Sequence, residues 1–287
     1  MMDCFGDFQL GKSKVFIIAE IGINHNGDIE LAKELILAAK KNGADAVKFQ
    51  KRTIDIVYDE EILNSKRESP WGSTQREQKE GLEFGQKDYM EIDKFCKSEN
   101  IDWFASAWDI QSQEFLKTFK LKYNKVASAM TTNIEFVETV AKEKLPTFVS
   151  TGMCTMEEIE IAVNIFKENN CPIVLLHTCS EYPALQENLN LKMILTLKNK
   201  FDVNVGYSGH ESSVIPSVYA VSLGAVAIER HLTLDRAMYG SDQAASLEPR
   251  GFKSMTEKIS IFNDVYGDGN KKITEEELKI AKKLRYW

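Results

Sequence analysis

Short apolar runs alternate with longer amphipathic runs along this 287-residue sequence, and that order limits the folds open to it. The short runs are rich in Val, Ile and Phe and predict strands, whereas the longer runs repeat apolar residues at helical spacing. Strands are predicted at residues 15–21, 45–50, 101–106, 123–128, 147–151, 172–178, 204–208 and 225–231. Helices are predicted near residues 28–42, 88–99, 111–119, 134–142, 156–169, 189–200 and 213–223, with an eighth from about residue 252.

Eight strand–helix units in a chain of this length predict an α/β fold, the (β/α)8 or TIM barrel. The alternative is a doubly wound open sheet, which would usually carry a Gly-rich phosphate loop after its first strand. The segment AEIGINHNG offers only Gly22 and Gly27, whose spacing is wrong for that loop. We expect the barrel to occupy residues 1–266 and a short C-terminal loop and helix to occupy residues 267–287.

Several residues mark predicted helix starts. Asp28 can cap the first helix. Asp88 with Glu91, and Thr155 with Glu158, have capping-box spacing.

The composition argues against several classes of protein. The net charge of −7 argues against a general nucleic-acid surface, so an anionic substrate would need local lysines. No segment approaches the roughly 20 apolar residues of a membrane span, and the start lacks a secretory pattern. The five cysteines are scattered and form no CxxC, which favours a reducing cytoplasm.

His210 and His231 each end a predicted strand, and one predicted helix separates the strands. In a parallel barrel, both imidazoles would therefore point into one cavity and supply half of a metal-ligand set. The alternative is that both are buried histidines with a packing role.

Alternation along the strands assigns further residues to faces, because successive side chains point in opposite directions. Charged residues occupy one face, and we expect them to converge with the two histidines at the barrel mouth: Glu20, Lys48, Lys125 and Glu229. Four apolar residues are predicted to pack under the helices: Val47, Phe49, Val226 and Ile228. In the sixth strand the alternation groups Ile173 and Leu175 with His177.

These residue types indicate a chemistry. Two lysines and nearby serines, including Ser150, Ser180 and Ser208, can hold a phosphate or a carboxylate. Two histidines leave open positions on a divalent metal, as Lewis-acid catalysis requires. Glu20 could serve as metal neighbour, proton carrier or hydroxyl acceptor. The pattern predicts a metal-assisted reaction on an anionic, phosphorylated substrate.

The same residues lie in motifs that resemble the sialic acid synthase family, the phosphoenolpyruvate-dependent nonulosonate synthases. The motifs occur in the family's order across residues 15–249: AEIGINHNG, DAVKFQ, STGM, LLHTCSEYP, VGYSGH and ERHLTLDRAMYGSDQAAS. The resemblance implies a TIM barrel that condenses phosphoenolpyruvate with the open-chain aldehyde of an N-acylated hexosamine, such as N-acetylmannosamine. It also implies a divalent metal, Mn²⁺ or Mg²⁺.

The resemblance further implies roles for individual residues. Metal ligands would be His210 and His231. Phosphoenolpyruvate would be held by Lys48, Lys125, Ser150, Ser180 and Ser208. The sugar or the metal-bound water would be faced by Glu20, Gln50, Tyr182 and Asp242, with Glu20, Gln50 and His231 as the catalytic set.

The sequence departs from the family pattern at three positions. Met130 stands where a glutamate is typical, Gly209 where an aspartate is typical, and Ser180 where an asparagine is typical. We also expect no C-terminal antifreeze-like domain, which in typical members donates an arginine to the partner's sugar site. The polar insertion at residues 51–86, with Trp71, Arg76 and Glu77, is the candidate substitute, although it could be a surface excursion.

Two other functions stay open at this point. One is another phosphoenolpyruvate–aldose condensation, of the deoxy-octulosonate type. The other is a barrel that binds a metal and a sugar acid without turnover. The expected partners are small molecules and a second copy of the chain, with no nucleic acid and no membrane.

Overall fold

The computed structural model describes residues 3–287, and within them eight parallel strands close into a barrel. The TIM-barrel prediction is confirmed. The barrel strands are β1 (Phe16–Gly22), β2 (Ala46–Lys51), β5 (Asp102–Ala107), β6 (Asn124–Val126), β7 (Thr147–Ser150), β8 (Ile173–Thr178), β9 (Asn204–Gly209) and β10 (Ala227–His231). A separate antiparallel hairpin consists of β3 (Lys66–Ser69) and β4 (Gly72–Thr74).

Helices follow the barrel strands and cover the outside of the barrel. They are α1 (Ile29–Lys41), α5 (Gln86–Glu99), α6 (Ile110–Lys117), α7 (Ile134–Lys142), α8 (Met156–Glu168), α9 (Met193–Phe201), α10 (Ile215–Ser222) and α11 (Pro249–Ser260). Shorter helices within the 51–86 insertion are α2 (Ile54–Val57), α3 (Glu60–Leu63) and α4 (Gln75–Leu82). The chain ends in α12 (Phe262–Tyr266) and α13 (Glu275–Leu284).

Two predicted helix starts are confirmed and one is wrong. The Asp28 side chain caps α1, and Thr155 forms the predicted capping box with Glu158 at the start of α8. Helix α5 begins at Gln86, two residues before the predicted start. Asp88 is its third residue, and its Oδ2 accepts a hydrogen bond of 2.9 Å from the backbone N–H of Gly85.

The barrel interior is apolar at its amino end. A buried cluster there includes Phe16, Phe104 and Phe148, and the N-terminal segment adds Cys4 and Phe5 beneath them. The rings of Phe5 and Phe148 lie 4.8 Å apart. The N-terminal segment therefore seals the end of the barrel opposite the carboxyl ends of the strands.

Alternation holds in β1, β2 and β8 and fails at one predicted position. Val226 belongs to the interior cluster rather than to the layer under the helices, because regular strand begins only at Ala227. In β8, Val174 and Leu176 face the interior, so His177 points outward. The Nε2 atom of His177 lies 2.7 Å from the backbone oxygen of Leu189.

The insertion is folded and packs against loops at the barrel mouth. The Trp71 ring lies 5.7 Å from that of Tyr239, which follows β10. A Cβ on Gly27 would overlap the backbone oxygen of Gly81, so α4 lies directly on the loop after β1. These contacts place the insertion over one side of the mouth.

The C-terminal segment ends in α13, which has no buried residue. Among residues 3–287, no helix has both the length and the apolar character needed to cross a membrane.

Candidate active site

A cavity at the carboxyl ends of the strands brings together the residues singled out in the sequence. We call it the mouth cavity, and six charged or imidazole groups among its lining residues were predicted to converge: Glu20, Lys48, Lys125, His210, Glu229 and His231. That convergence is confirmed. Five further predicted site residues line the same cavity: Gln50, Ser150, Ser180, Tyr182 and Ser208.

One part of the mouth cavity is an ion pair with an amide neighbour. Lys48 Nζ lies 2.7 Å from Glu20 Oε2, and both side chains are buried. Gln50 Nε2 donates to Glu20 Oε1 at 2.8 Å. The register of β1 and β2 fixes this contact, because Glu20 of β1 lies opposite Lys48 of β2 in the parallel pair. A buried charge needs such compensation.

A second ion pair lies deeper in the same cavity. Lys125 Nζ donates to Ser150 Oγ at 2.6 Å and lies 3.7 Å from Glu229 Oε1. Ser208 Oγ donates to that Glu229 oxygen at 3.0 Å. The cavity therefore places two ammonium groups next to two carboxylates, with serine hydroxyls between them.

Burial changes the acid–base properties of this pair. It lowers the pKa of Lys125 to about 8, against the opposing attraction of the Glu229 carboxylate. Burial would raise the pKa of Glu229, but Lys125, Lys48 and the Ser208 hydrogen bond together hold it below its ordinary value. Lys125 is thus a cation that can lose its proton within a modestly alkaline range, while Glu229 stays ionised.

The two imidazoles form the other half of the cavity. The ring centroids of His210 and His231 are 5.4 Å apart, and the Tyr182 ring lies against His210, tilted by 33°, with 4.1 Å between centroids. His210 Nδ1 lies 2.7 Å from the backbone oxygen of Cys179. A carbonyl oxygen only accepts, so Nδ1 carries the hydrogen and Nε2 keeps its lone pair. Burial and the neighbouring His231 lower the pKa of His210 to about 3, so its ring stays neutral.

This pair fits a metal as two ligands of an incomplete set. Imidazole nitrogens bind at about 2.0–2.1 Å, which puts two rings on one ion roughly 5 Å apart. The buried Nδ1 of His231 has no hydrogen-bond partner among the described residues, and the Asp242 carboxylate lies 3.8 Å from it. Residues 3–287 contain no cluster of three or more His, Cys, Asp or Glu arranged to hold a metal. Two imidazole ligands leave positions on such an ion at which water or substrate could bind.

A second cavity adjoins the first and shares Gln50, Trp108 and Tyr182 with it. We call it the insertion cavity, because Ile54, Tyr58, Lys79 and Leu82 of the 51–86 insertion form one wall. Asp242 also lines it. The predicted sugar-facing pair, Tyr182 and Asp242, thus lies where the two cavities meet.

Arg76, the third predicted sugar-binding residue, lines neither cavity. Its guanidinium is held by Asp55 at 2.5 Å, Glu60 at 2.9 Å and Glu80 at 3.5 Å, all on the insertion. Its role in the structure is to bind parts of the insertion to one another. Glu77 likewise serves the capping box of α4. The cationic residues that do line the insertion cavity are Arg52 and Lys79.

A search with models of protein families matches residues 35–271 to the NeuB family. The chain belongs to the NeuB family. The resemblance to sialic acid synthases is therefore confirmed at the level of the family.

Individual members are similar over most of their length. The chain is 38% identical to the N,N'-diacetyllegionaminic acid synthase of Legionella pneumophila, covering 94% of this chain and 78% of that protein. It is 36% identical to the N-acetylneuraminate-9-phosphate synthase of Homo sapiens, covering 98% of this chain and 79% of that protein. The crystal structure of the N-acetylneuraminic acid synthetase of Leptospira borgpetersenii superposes with a TM-score of 0.83 at 31% identity, covering 98% of each chain.

The NeuB-like site contains residues that the sequence reasoning missed. Arg52 continues the β2 alternation two residues past Gln50, so the same rule would have found it. Ser128 follows β6 in a 3₁₀ turn, where strand alternation no longer applies. Its Oγ accepts a hydrogen bond of 3.1 Å from the backbone N–H of Gly152, and both Ser128 and Ser180 line the mouth cavity.

Two departures from the family pattern have structural counterparts. Met130 is buried and packs in the core cluster under the helices. Gly209 lies beside Arg230 in the β9–β10 register, and a Cβ there would lie 2.6 Å from Glu211 Oε2. The neighbouring acid, Glu211, therefore occupies the space beside position 209.

Proposed function

We propose that this NeuB-family chain condenses phosphoenolpyruvate with the open-chain aldehyde of an N-acylated hexosamine, giving a nonulosonic acid and phosphate. The observation that carries the proposal is the division of the mouth cavity into two halves. One half offers Lys48, Lys125 and serine hydroxyls, and the other offers His210 and His231. An anionic enol and an aldehyde would each meet suitable chemistry, side by side.

The lysine and serine half suits phosphoenolpyruvate. Lys48 and Lys125 supply positive charge, and the hydroxyls of Ser150, Ser180 and Ser208 supply hydrogen bonds to phosphate and carboxylate oxygens. Ser128 adds a further hydroxyl beside Gly152. Lys48 pairs with Glu20 and Lys125 with Glu229 in the structure, so an incoming phosphate would share the two ammonium groups with these carboxylates.

The imidazole half suits the aldehyde and a divalent metal, Mn²⁺ or Mg²⁺, held by His210 and His231. When bound, such an ion acts as a Lewis acid toward a carbonyl oxygen. Tyr182 packs against His210 and positions the substrate near both rings. Asp242, beside His231, can accept a hydrogen bond from a sugar hydroxyl or from a water molecule.

The bonds formed and broken in the proposed reaction balance. Carbon 3 of the enol attacks the aldehyde carbon, whose oxygen takes a proton and becomes a hydroxyl. Water adds to carbon 2, and the C–O bond to phosphate breaks, which leaves a ketone and hydrogen phosphate. The two protons of the water molecule account for the new hydroxyl and for the released phosphate. Glu20, held by Lys48 and Gln50, lies in the cavity as the carboxylate that can carry a proton between these positions.

Phosphate release from phosphoenolpyruvate in the presence of Mn²⁺, measured against a panel of aldoses, tests this proposal. Six-carbon N-acylated hexosamines should support release, because three and six carbons make a nonulosonate. A five-carbon aldose phosphate that worked in their place would indicate the deoxy-octulosonate alternative. Lys48→Met should reduce turnover strongly, with Lys87→Met, exposed at the start of α5, as the matched control. Binding of phosphoenolpyruvate with no release from any aldose would contradict a catalytic role.

The proposal assigns the chain two small-molecule substrates in the cytoplasm, with no nucleic-acid or membrane partner. The names of two relatives support the reaction, since one is an N,N'-diacetyllegionaminic acid synthase and the other an N-acetylneuraminate-9-phosphate synthase.

A further inference from the structure

The insertion cavity has no part in the bond changes just described, yet it opens from the mouth cavity. The two share Gln50, Trp108 and Tyr182. A sugar whose aldehyde lies near His210 would extend past Tyr182 toward this second cavity. The residues that line the far wall would then meet the end of the acceptor that does not react.

Arg52 is the first of two cations on that wall. Its guanidinium lies over the Trp108 ring, 4.1 Å from the centroid, and donates to Gln50 Oε1 at 2.5 Å. Its buried Nε has no hydrogen-bond partner among the described residues. A guanidinium offers five N–H donors and no acceptor, so this side chain is held in place with donors to spare.

Lys79 of α4 is the second cation. Its Nζ lies 5.0 Å from the centre of the Tyr58 ring. Burial lowers its pKa, and the nearby positive charges of Arg52 and Arg67 lower it further, against the attraction of the Asp242 carboxylate. The cations on this wall repel one another, and a bound anion would relieve that repulsion.

Nearby carboxylates are already engaged. Three carboxylates of the insertion bind Arg76: Asp55, Glu60 and Glu80. Glu83 Oε1 accepts from Lys51 Nζ at 2.7 Å and from the backbone N–H of Arg52 at 3.0 Å. Asp242 also lines the cavity, but its carboxylate lies 3.8 Å from His231, at the junction with the mouth cavity. Within residues 3–287, the ion pairs formed leave Arg52 and Lys79 without a carboxylate of their own.

We propose that the acceptor sugar carries a phosphate on the carbon farthest from its aldehyde, and that Arg52 and Lys79 bind this phosphate. The proposal rests on the proposed function, since it names the acceptor of that reaction as a hexosamine 6-phosphate. Arg52 provides paired donors that match phosphate oxygens, and Lys79 provides a compact charge. The aromatic rings of Tyr58 and Trp108 line the same cavity and give the sugar carbons an apolar surface.

The anion bound here is distinct from phosphoenolpyruvate. That substrate already has Lys48 and Lys125 inside the barrel, both almost fully buried. The insertion cavity is lined instead by loop and insertion residues above the strand ends.

The test compares N-acetylmannosamine, N-acetylglucosamine, a neutral diacetamido hexose and the 6-phosphates of the first two, in the phosphate-release assay with saturating phosphoenolpyruvate. We expect kcat/KM for the best 6-phosphate to exceed that of its free sugar by about a hundredfold. Lys79→Met and Arg52→Met should each lower kcat/KM for the 6-phosphate by about ten- to a hundredfold, the size of one charged hydrogen bond. Lys79→Met should leave kcat/KM for the free sugar and the KM for phosphoenolpyruvate within about twofold of wild type.

Lys66→Met is the matched control, because Lys66 is exposed on β3 of the same insertion and lines neither cavity. Arg52 also contacts Gln50, so Lys79→Met is the cleaner variant of the two. Arg52→Lys, which retains the charge, should recover part of the affinity for the 6-phosphate.

Equal kcat/KM for a free sugar and its 6-phosphate would overturn the subsite while leaving the proposed function intact, and so would better turnover of the neutral diacetamido hexose. Failure of the proposed function would instead show as no phosphate release with any acceptor. The subsite would then be judged by calorimetry: a hexosamine 6-phosphate that binds wild type and is weakened by Lys79→Met supports it. Equal binding of the free sugar opposes it.

Discussion

Arg230 and Glu211 form a fully buried ion pair, 2.9 Å between Nη1 and Oε1, directly beside the two candidate metal ligands. Glu211 follows His210 at the end of β9, and Arg230 precedes His231 at the end of β10. Tyr207 donates to the other Glu211 oxygen at 2.8 Å. The pair joins the ends of two neighbouring strands, so it holds the distance between the two imidazoles.

Removing one partner should therefore damage both stability and the histidine site. Arg230→Met leaves Glu211 buried without its cation, which costs about 3–5 kcal/mol in such pairs. We expect a lower unfolding midpoint in urea and at least tenfold weaker Mn²⁺ binding. The double variant Arg230→Met, Glu211→Gln should recover part of the stability but not the Mn²⁺ affinity. Recovery of both together would mean that the pair contributes only to folding.

Mn²⁺ binding should depend on His210 and His231 and not on the third histidine of these strands. His210→Ala and His231→Ala should each abolish measurable Mn²⁺ binding by calorimetry and should remove metal-dependent phosphate release. His177→Gln is the control, because His177 points out of the barrel toward Leu189. That variant should lose some stability and keep its Mn²⁺ affinity. Tight Mn²⁺ binding by His231→Ala would refute the assigned ligands.

The affinity for phosphoenolpyruvate should fall as the pH rises through the pKa of Lys125. The pKa of Lys125 is lowered to about 8, so its ammonium is charged below this pH and is lost as the pH rises through it. The pH dependence of kcat/KM reports groups of the free enzyme. We expect kcat/KM for phosphoenolpyruvate to be level at lower pH and to decline about tenfold per unit above 8.

Lys125→Arg distinguishes this group from others, since a guanidinium keeps its charge at high pH. Its kcat/KM profile should lose the alkaline decline, whatever its absolute rate. If kcat/KM of Lys125→Arg declined above the same pH as that of the wild type, the decline would belong to a different residue.

Gly152 should tolerate no side chain. A Cβ there would lie 2.8 Å from Ser128 Oγ and closer still to Ser180 Oγ, so Gly152→Ala must displace the hydroxyls beside the cavity. We expect a rise of about tenfold in the KM for phosphoenolpyruvate with little change in the KM for the sugar. Gly251→Ala in α11 is the control, since its Cβ would meet Leu247 only at 3.7 Å or more. Gly251→Ala should leave both KM values unchanged and raise the free energy of unfolding by roughly 0.5–1 kcal/mol.

The sequence allowed the barrel and much of the mouth cavity to be predicted, because β1, β2 and the end of β10 mix polar and apolar residues. Glu20 and Lys48 stand out against apolar neighbours on both sides, so alternation identifies their face. In β8, Ile173 to Leu176 are all apolar and all buried. Strands of a parallel barrel are covered on both sides, so alternation grouped His177 with Ile173 and Leu175 but carried no sign of whether that face was the inner or the outer one.

The insertion could be located from the sequence but not interpreted residue by residue. Arg76 and Lys79 lie three positions apart on α4, and the sequence interpretation named only Arg76 as a sugar-binding residue. Their difference comes from α2 and α3, whose Asp55 and Glu60 fold back onto Arg76 and leave Lys79 facing the cavity. Such contacts depend on tertiary folding and have no periodic signature.

The sealed amino end of the barrel, where Phe5 packs on Phe148, has a kinetic consequence. Because the amino end is closed, substrates and products can enter and leave the active site only at the carboxyl ends of the strands, where the insertion lies. A substrate bound to Lys125 is then covered by whatever binds near Tyr182 afterwards. For the reaction proposed above, this shape predicts an order of binding: phosphoenolpyruvate first and the sugar second.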